Sequence, residues 1–225
     1  MLAQGFFSKE RLKNRANHDK QTLRWGYYLG LNSLDFDFNY IQEQANIPME
    51  FQDIQTTKQV GFNVGLIGNL RINDHIDIRT EPGVIFNTRF LNFPLIDAED
   101  PLGNIREINT TAVHLPLLLK ISTKRLNNFK PFIVGGVSTS INLSSNEKNP
   151  DDNFSGQFRT KTNFSSYELG FGIDFFLPYF KFTPSVRGVF SMTDELVRDD
   201  VEDSPYTSII DEMETRGIFI NFTFQ

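Results

Sequence analysis

Cysteine is absent from all 225 residues, which removes disulfides, thiol nucleophiles and thiolate metal sites together. Histidine is nearly as scarce. His18, His75 and His114 lie far apart in the chain and offer no ligand spacing for a metal, and no motif calls for a cofactor. No stretch of about 18 apolar residues occurs, so a helical membrane span is excluded. Surplus basic charge is lacking too, with 22 Lys and Arg against 28 Asp and Glu. The resulting −6 argues against a nucleic-acid partner, because neutralising phosphates needs a basic face. What the chain has in excess is phenylalanine, 23 residues within a 13% aromatic content, at a mean hydropathy of −0.31. A polar average does not normally carry so many phenylalanines.

The N-terminus, Met1-Leu2-Ala3-Gln4, fits the stub of a signal peptide as well as it fits an ordinary start. From Lys9 to Arg24 six basic and two acidic side chains follow with weak periodicity, which predicts a flexible or peripheral basic arm. The organisation is therefore an arm over 1–24 and one domain over 25–225.

That domain reads as eight strands of period two. Val60, Phe62, Val64 and Leu66 alternate with Gly61, Asn63 and Gly65. Ile76, Ile78, Thr80, Val84 and Phe86 alternate with Asp77, Arg79, Glu81, Asn87 and Arg89. Val113 to Ile121 carries His114 and Lys120 on its second parity, and Phe129 to Leu143 carries Lys130, Ser138, Ser140 and Asn142. Tyr167 to Phe175 sets Glu168 and Asp174 against aromatics, and Phe182 to Met192 sets Lys181 and Arg187 against apolar residues. The last strand runs through Ile218, Ile220, Phe222 and Phe224. The first, Trp25 to Tyr40, changes parity midway, which predicts a bulge near Asn32-Ser33.

Connections alternate strictly. Segments 41–57, 92–106, 144–161 and 194–214 are long, whereas 72–75, 122–128 and 177–180 are short. This predicts an all-β, eight-stranded antiparallel up-and-down transmembrane β-barrel, with four long extracellular loops and three short periplasmic turns. Charge follows the same division, because the four long segments together carry −13 and the arm +4. A lipid-facing band accounts for the phenylalanines. Trp25, Phe129, Phe175, Tyr179, Phe180, Phe182, Phe222 and Phe224 would lie near the short turns. Phe38, Tyr40, Phe90, Phe93, Phe164, Tyr167 and Phe190 would lie near the long loops. The rival is a soluble lipocalin-like barrel with the apolar parity inside, which periodicity alone does not separate.

With the apolar parity outward, the polar parity fills the barrel. Arg79, Glu81, Arg89, His114, Lys120, Glu168, Asp174 and Arg187 then form a salt-bridged interior plug, since eight strands enclose only enough room for side chains. A narrow ion path is the functional alternative. Catalysis would have to use His114 with an acid such as Glu168 or Glu81, and no nucleophile stands at a recognisable spacing, so no enzyme is expected. The acidic run holding Asp194, Glu195, Asp199, Asp200, Glu202 and Asp203 is a solvated loop and a candidate docking surface.

Several segments in order resemble PorT-type barrels, called SprT in gliding bacteria. They include Val60-Gly-Phe-Asn-Val-Gly-Leu-Ile-Gly68, Arg79-Thr-Glu-Pro-Gly-Val84 and His114-Leu-Pro-Leu-Leu-Leu-Lys120. Lys130-Pro-Phe-Ile-Val-Gly-Gly136, Tyr167-Glu-Leu-Gly-Phe-Gly-Ile-Asp174 and the ending Arg216 to Gln225 complete the set. The resemblance implies an outer-membrane barrel of Bacteroidota, after signal-peptide cleavage, with outer-membrane lipid and other type IX secretion components as partners. It implies no catalytic motif. An ion-conducting or ligand-binding barrel, or a lipid-modifying barrel enzyme, are the alternatives.

Overall fold

A computed structural model describes residues 13–41, 54–94, 96, 103–149, 158–200, 204 and 206–225. Ten strand segments follow one short 3-10 turn, His18–Lys20. They are β1 (Leu23–Tyr40), β2 (Gln55–Lys58), β3 (Val60–Arg71), β4 (Ile76–Thr80) and β5 (Gly83–Asn92). The remainder are β6 (Ile105–Ser122), β7 (Phe129–Asn142), β8 (Asn163–Phe176), β9 (Lys181–Ser191) and β10 (Ile210–Phe224).

Two pairs of segments are single staves with an interruption. Between β2 and β3, Gln59 shifts the pairing with β5 by one residue, from Lys58↔Arg89 to Phe62↔Phe86. Between β4 and β5 the register against β6 does not change, from Thr80↔Leu117 to Gly83↔His114. There Pro82 has no N–H to give the ladder, and its carbonyl accepts from Leu66 N at 2.9 Å. Gly83 follows because a Cβ at that position would collide with the Tyr28 hydroxyl. The result is eight antiparallel staves. β1 pairs with β10 on one side and β3 on the other, so the sheet closes into a ring.

The wall is apolar outward over a band. On β6 the exposed row runs from Leu115 to Ile121, and on β8 it includes Tyr167, Leu169, Phe171 and Ile173. The row from Val113 to Ile121 covers about 27 Å of strand, shortened to roughly 21 Å by a typical tilt of about 40°. Trp25, Tyr179, Phe180 and Phe222 crowd the short-turn rim, where Tyr27 stacks on Phe224 with centroids 5.4 Å apart. At the far rim Tyr167 stacks on Phe190 at 5.1 Å.

The parity change on β1 has another origin than a bulge. Pairing with β10 runs without interruption from Tyr27↔Phe224 to Asn39↔Glu212, and the register shifts only between Asn39 and Tyr40. Trp25, Tyr27, Leu29 and Leu31 point outward, while Tyr28, Leu34 and Phe36 are buried inside. The outward parity simply becomes polar at Ser33, Asp35 and Asp37, and β10 does the same between Ile218 and Arg216. Apolar residues move from the outside of the wall to its inside where the wall leaves the band. Above that level Phe36, Ile54, Leu91, Phe93, Ile108, Phe158, Leu196, Tyr206, Ile210 and Met213 form one buried cluster, with Phe38 and Tyr40 against it. Phe38, Tyr40 and Phe93 therefore do not belong to the outer aromatic rim; they cap the barrel from within, and Phe164 on β8 is buried too.

Residues 14–19 of the expected flexible or peripheral arm lie against the short-turn end. Arg125, from the β6–β7 turn, lies over the Phe176 ring at 3.8 Å and donates to the carbonyl of Asn14, to Asn128 Oδ1 and to Asp19 Oδ2. Asn14 in turn donates to Asn128 Oδ1 and to the Phe176 carbonyl, and Arg15 donates to the Gln225 carbonyl at 2.7 Å. Met1 to Gln4, the signal-peptide stub of the sequence reading, lie outside the described residues.

Candidate functional site

The inward parity brings the polar residues of all eight staves to one level. Arg79 Nε lies 2.6 Å from Glu81 Oε1, and Glu81 Oε2 lies 3.0 Å from Arg187 Nη1. Arg187 Nε meets Glu168 Oε2 at 2.7 Å, Glu168 Oε1 meets His114 Nε2 at 2.9 Å, and His114 Nδ1 meets Ser140 Oγ at 2.8 Å. The remaining staves join through Tyr28 OH, which donates to the Glu81 carbonyl, and through Asn221 and Asn63. Asn63 Nδ2 donates to Asn221 Oδ1 at 2.7 Å. Such a line is held by its members in common: Glu81 is shared between two arginines and Arg187 between two carboxylates, so none of these charges is isolated in the low-dielectric interior.

A second layer lies toward the short turns. Lys120 Nζ donates to Asp174 Oδ2 at 2.6 Å, Thr183 Oγ1 donates to Asp174 Oδ1 at 2.7 Å, and Arg24 pairs with Asp77 at 2.8 Å. A third layer lies toward the loops, around Arg89. Its guanidinium stacks on Phe36 at 3.7 Å and donates to Thr110 and Thr215 hydroxyls at 2.9 and 3.1 Å. Of the eight inward residues read from the sequence, Arg79, Glu81, His114, Glu168 and Arg187 meet in the first layer. Lys120 and Asp174 meet in the second, and Arg89 stands apart in the third.

Sequence reading did not single out Arg24, Tyr28, Asn63, Ser140 or Asn221 as members of these layers. Their inward parity was the available signal, but parity does not say which residues on different staves share a level. That depends on stagger.

Ser140, His114 and Glu168 form a serine–histidine–carboxylate line, the constellation of nucleophilic catalysis. All three are buried, at 1%, 2% and 2% exposure, and they face the lumen rather than the lipid side from which an acyl chain would come. Glu168 is at the same time anchored by Arg187. Among the described residues no cluster of His, Asp and Glu is arranged to hold a metal ion. His75 sits in the β3–β4 turn with Nδ1 3.0 Å from the Ser122 carbonyl.

The acidic loop divides. Glu195 is buried and reaches into the barrel, where its carboxylate accepts from Thr215 N at 3.0 Å and Thr215 Oγ1 at 2.9 Å. The Asp199 side chain is buried as well, 3.4 Å from Arg159 Nη2 and bonded by the Ser204 hydroxyl. Neither contributes to an exposed docking face, because each satisfies buried donors under the loop. Asp194 is partly exposed and ties the loop down, accepting from Leu196 N, Met213 N and Lys161 Nζ. Asp200 is exposed, and Glu202 and Asp203 lie outside the described residues. Burial pushes the Glu195 carboxyl above its ordinary value, countered only in part by Arg89 and the Thr215 donors. At Asp194 partial burial opposes ionisation, but the Leu196 and Met213 N–H groups and Lys161 outweigh it, so the carboxyl is lowered.

Residues 3–197 match the family model described as outer membrane protein beta-barrel domain. Nothing matches among curated proteins. Among solved structures the chain is similar to the outer membrane protein OprG from Pseudomonas aeruginosa, at 11% identity and a TM-score of 0.47, over 90% of this chain and 93% of that one. It is similar to the outer membrane protein AlkL, seen in lipid bilayers, at 12% identity and TM-score 0.42, over 100% and 97% of the two chains. Ail of Yersinia pestis, in complex with a heparin analogue, gives 11%, 0.40, and 89% and 96%.

Proposed function

Because the chain belongs to the outer membrane protein beta-barrel domain family, we propose that it is a non-enzymatic component of the type IX protein secretion and gliding apparatus. It acts there through protein–protein contacts and not by conducting cargo. The observation that carries this reading is the interior. A network joining Arg79, Glu81, Arg187, Glu168, His114 and Ser140 crosses the lumen at one level, and an apolar cluster lies above it. A barrel filled in this way offers its outer wall, its loops and its periplasmic rim for work, and leaves no passage for a folded protein. The PorT-type resemblance of the segments from Val60 to Gln225 supplies the apparatus.

Deletion of the gene in its native host is the test. Loss of type IX cargo from the medium, restored by the wild-type gene and by a His114→Ala variant, is the expected result. Normal secretion by the deletion strain would sink the assignment, and failure of His114→Ala to restore secretion, with normal membrane levels, would return the buried serine–histidine–glutamate line to consideration as chemistry. Purification in mild detergent with identification of co-purifying subunits then names the partners.

A further inference from the structure

Among the described residues, buried lumenal cations outnumber carboxylates, and the shortfall lies in the periplasmic half. There Arg24, Lys120, Lys130 and Lys181 are all buried, against the two carboxylates of Asp77 and Asp174. Arg24 takes Asp77 at 2.8 Å, while Asp174 is taken by Lys120 at 2.6 Å and by the Thr183 hydroxyl at 2.7 Å. Lys181, 1% exposed, stands 3.8 Å from Asp174 Oδ1, beyond hydrogen-bond distance. On the facing wall is Asn69 of β3, in register with Arg24 on β1 and with Arg79 on β4. It is 1% exposed, and among the described residues neither of its amide atoms has a hydrogen-bond partner; Arg24 Nε is likewise unpartnered.

A buried cation that only shares a carboxylate already bound by another lysine, and a buried amide without a partner, are each disfavoured. One small anion would balance the cations and accept from the Asn69 Nδ2–H. Lysine and arginine only donate, and the asparagine amide N–H also donates, so a group bound among them must accept from all of them. A cation is ruled out by the same surplus. We propose that the periplasmic half of the lumen is a binding site for a small inorganic anion of halide size, held by Asn69, Arg24 and Lys181. The anion completes the charge balance of the plug, independently of which secretion partner the barrel serves.

Bromide is the probe. The folded protein in detergent micelles is unfolded thermally at constant ionic strength while sodium bromide replaces sodium gluconate, whose anion is far bulkier than a halide. The expected result is a midpoint that rises with the logarithm of bromide concentration, as mass action on one native-state site requires. Crystals grown in bromide should carry an anomalous peak beside Asn69 Nδ2. Asn69→Asp, nearly the same shape, supplies the missing negative charge; it should raise the midpoint in gluconate and flatten the bromide response. Lys181→Met should flatten it as well. Identical wild-type midpoints in bromide and gluconate would overturn the proposal, as would a full bromide response in a folded Lys181→Met protein. If neither variant folds, the wild-type comparison and the anomalous map decide.

Discussion

Glu81 shows how much one carboxylate holds at the residue scale. It takes Arg79 on one oxygen and Arg187 on the other, and its own backbone carbonyl accepts from Tyr28. Exchanging it for glutamine keeps the shape and removes the charge, leaving Arg79 without its carboxylate and Arg187 with Glu168 alone. Breaking a buried pair from one side costs about 3–5 kcal/mol. Glu81→Gln is therefore expected to lower stability by that order, seen as a lower temperature for conversion of the folded band to the unfolded band on unboiled gels. An unchanged conversion temperature would mean that the lumen is wet enough to solvate these charges. Glu81, with Arg79, Arg89, His114, Lys120, Glu168, Asp174 and Arg187, was readable as inward-facing from alternation alone, because period two assigns a side to every residue of a strand. Which carboxylate meets which cation was not readable. Glu168 and His114 stand on β8 and β6, separated by β7, and only the curvature of the ring brings them within 2.9 Å.

At the scale of elements, the described residues of the long-loop end include a packed apolar cap. Its tie is Asp194-Glu195, whose two carboxylates respond to pH with opposite sign. Asp194 is lowered in the folded protein, so its stabilisation is present above the ordinary aspartate range and is lost as pH falls through the lowered value. Glu195 is raised, so its folded form favours the protonated acid; the cap gains below the ordinary glutamate range and gives up that gain as pH rises through the raised value. Hydrogen exchange of the cap amides, followed across pH, should thus show slowest opening in mildly acidic solution. Glu195→Gln should remove the rise in opening on the alkaline side and leave the acid side unchanged. A variant that opens with the wild-type profile would show that Glu195 does not set it. None of this was legible in the acidic run itself. A row of carboxylates reads as solvated unless something shows that Thr215 N and Arg159 lie beneath it, and those partners stand at other places in the chain. The predicted bulge at Asn32-Ser33 failed for a related reason. Alternation records apolar against polar, and a wall that passes from lipid into water exchanges the two sides without any change of register.

As a whole molecule, the barrel is a polar-cored, apolar-walled cylinder capped at one end by aromatic side chains and clasped at the other by residues 13–20. Closure by β1 and β10 leaves no open sheet edge within the band, which is what a β-structure needs where no water is available to backbone groups. Two consequences can be measured together. Refolded protein should show the compact, fast-migrating band on unboiled gels that closed barrels give. In planar bilayers it should show little or no steady conductance, because the lumen is crossed by paired side chains. Frequent long-lived openings at neutral pH, lost in Glu168→Gln, would favour the ion-conducting reading over the plug.

The sequence by itself determined the strands, their alternation of long and short connections, the outward band and the list of inward polar residues. All of these rest on period two and on turn spacing, which are local. Tertiary structure decided what needed stagger and closure: the pairing of Glu81 with two arginines, the serine beside His114, the cap of phenylalanines and the burial of Glu195. It also decided where buried cations outnumber carboxylates, among Arg24, Lys120, Lys130 and Lys181 beside Asp77 and Asp174. Side is a property of one strand, but level in the lumen is a property of eight, because the position at which two inward residues meet depends on how far each stave slides past the next.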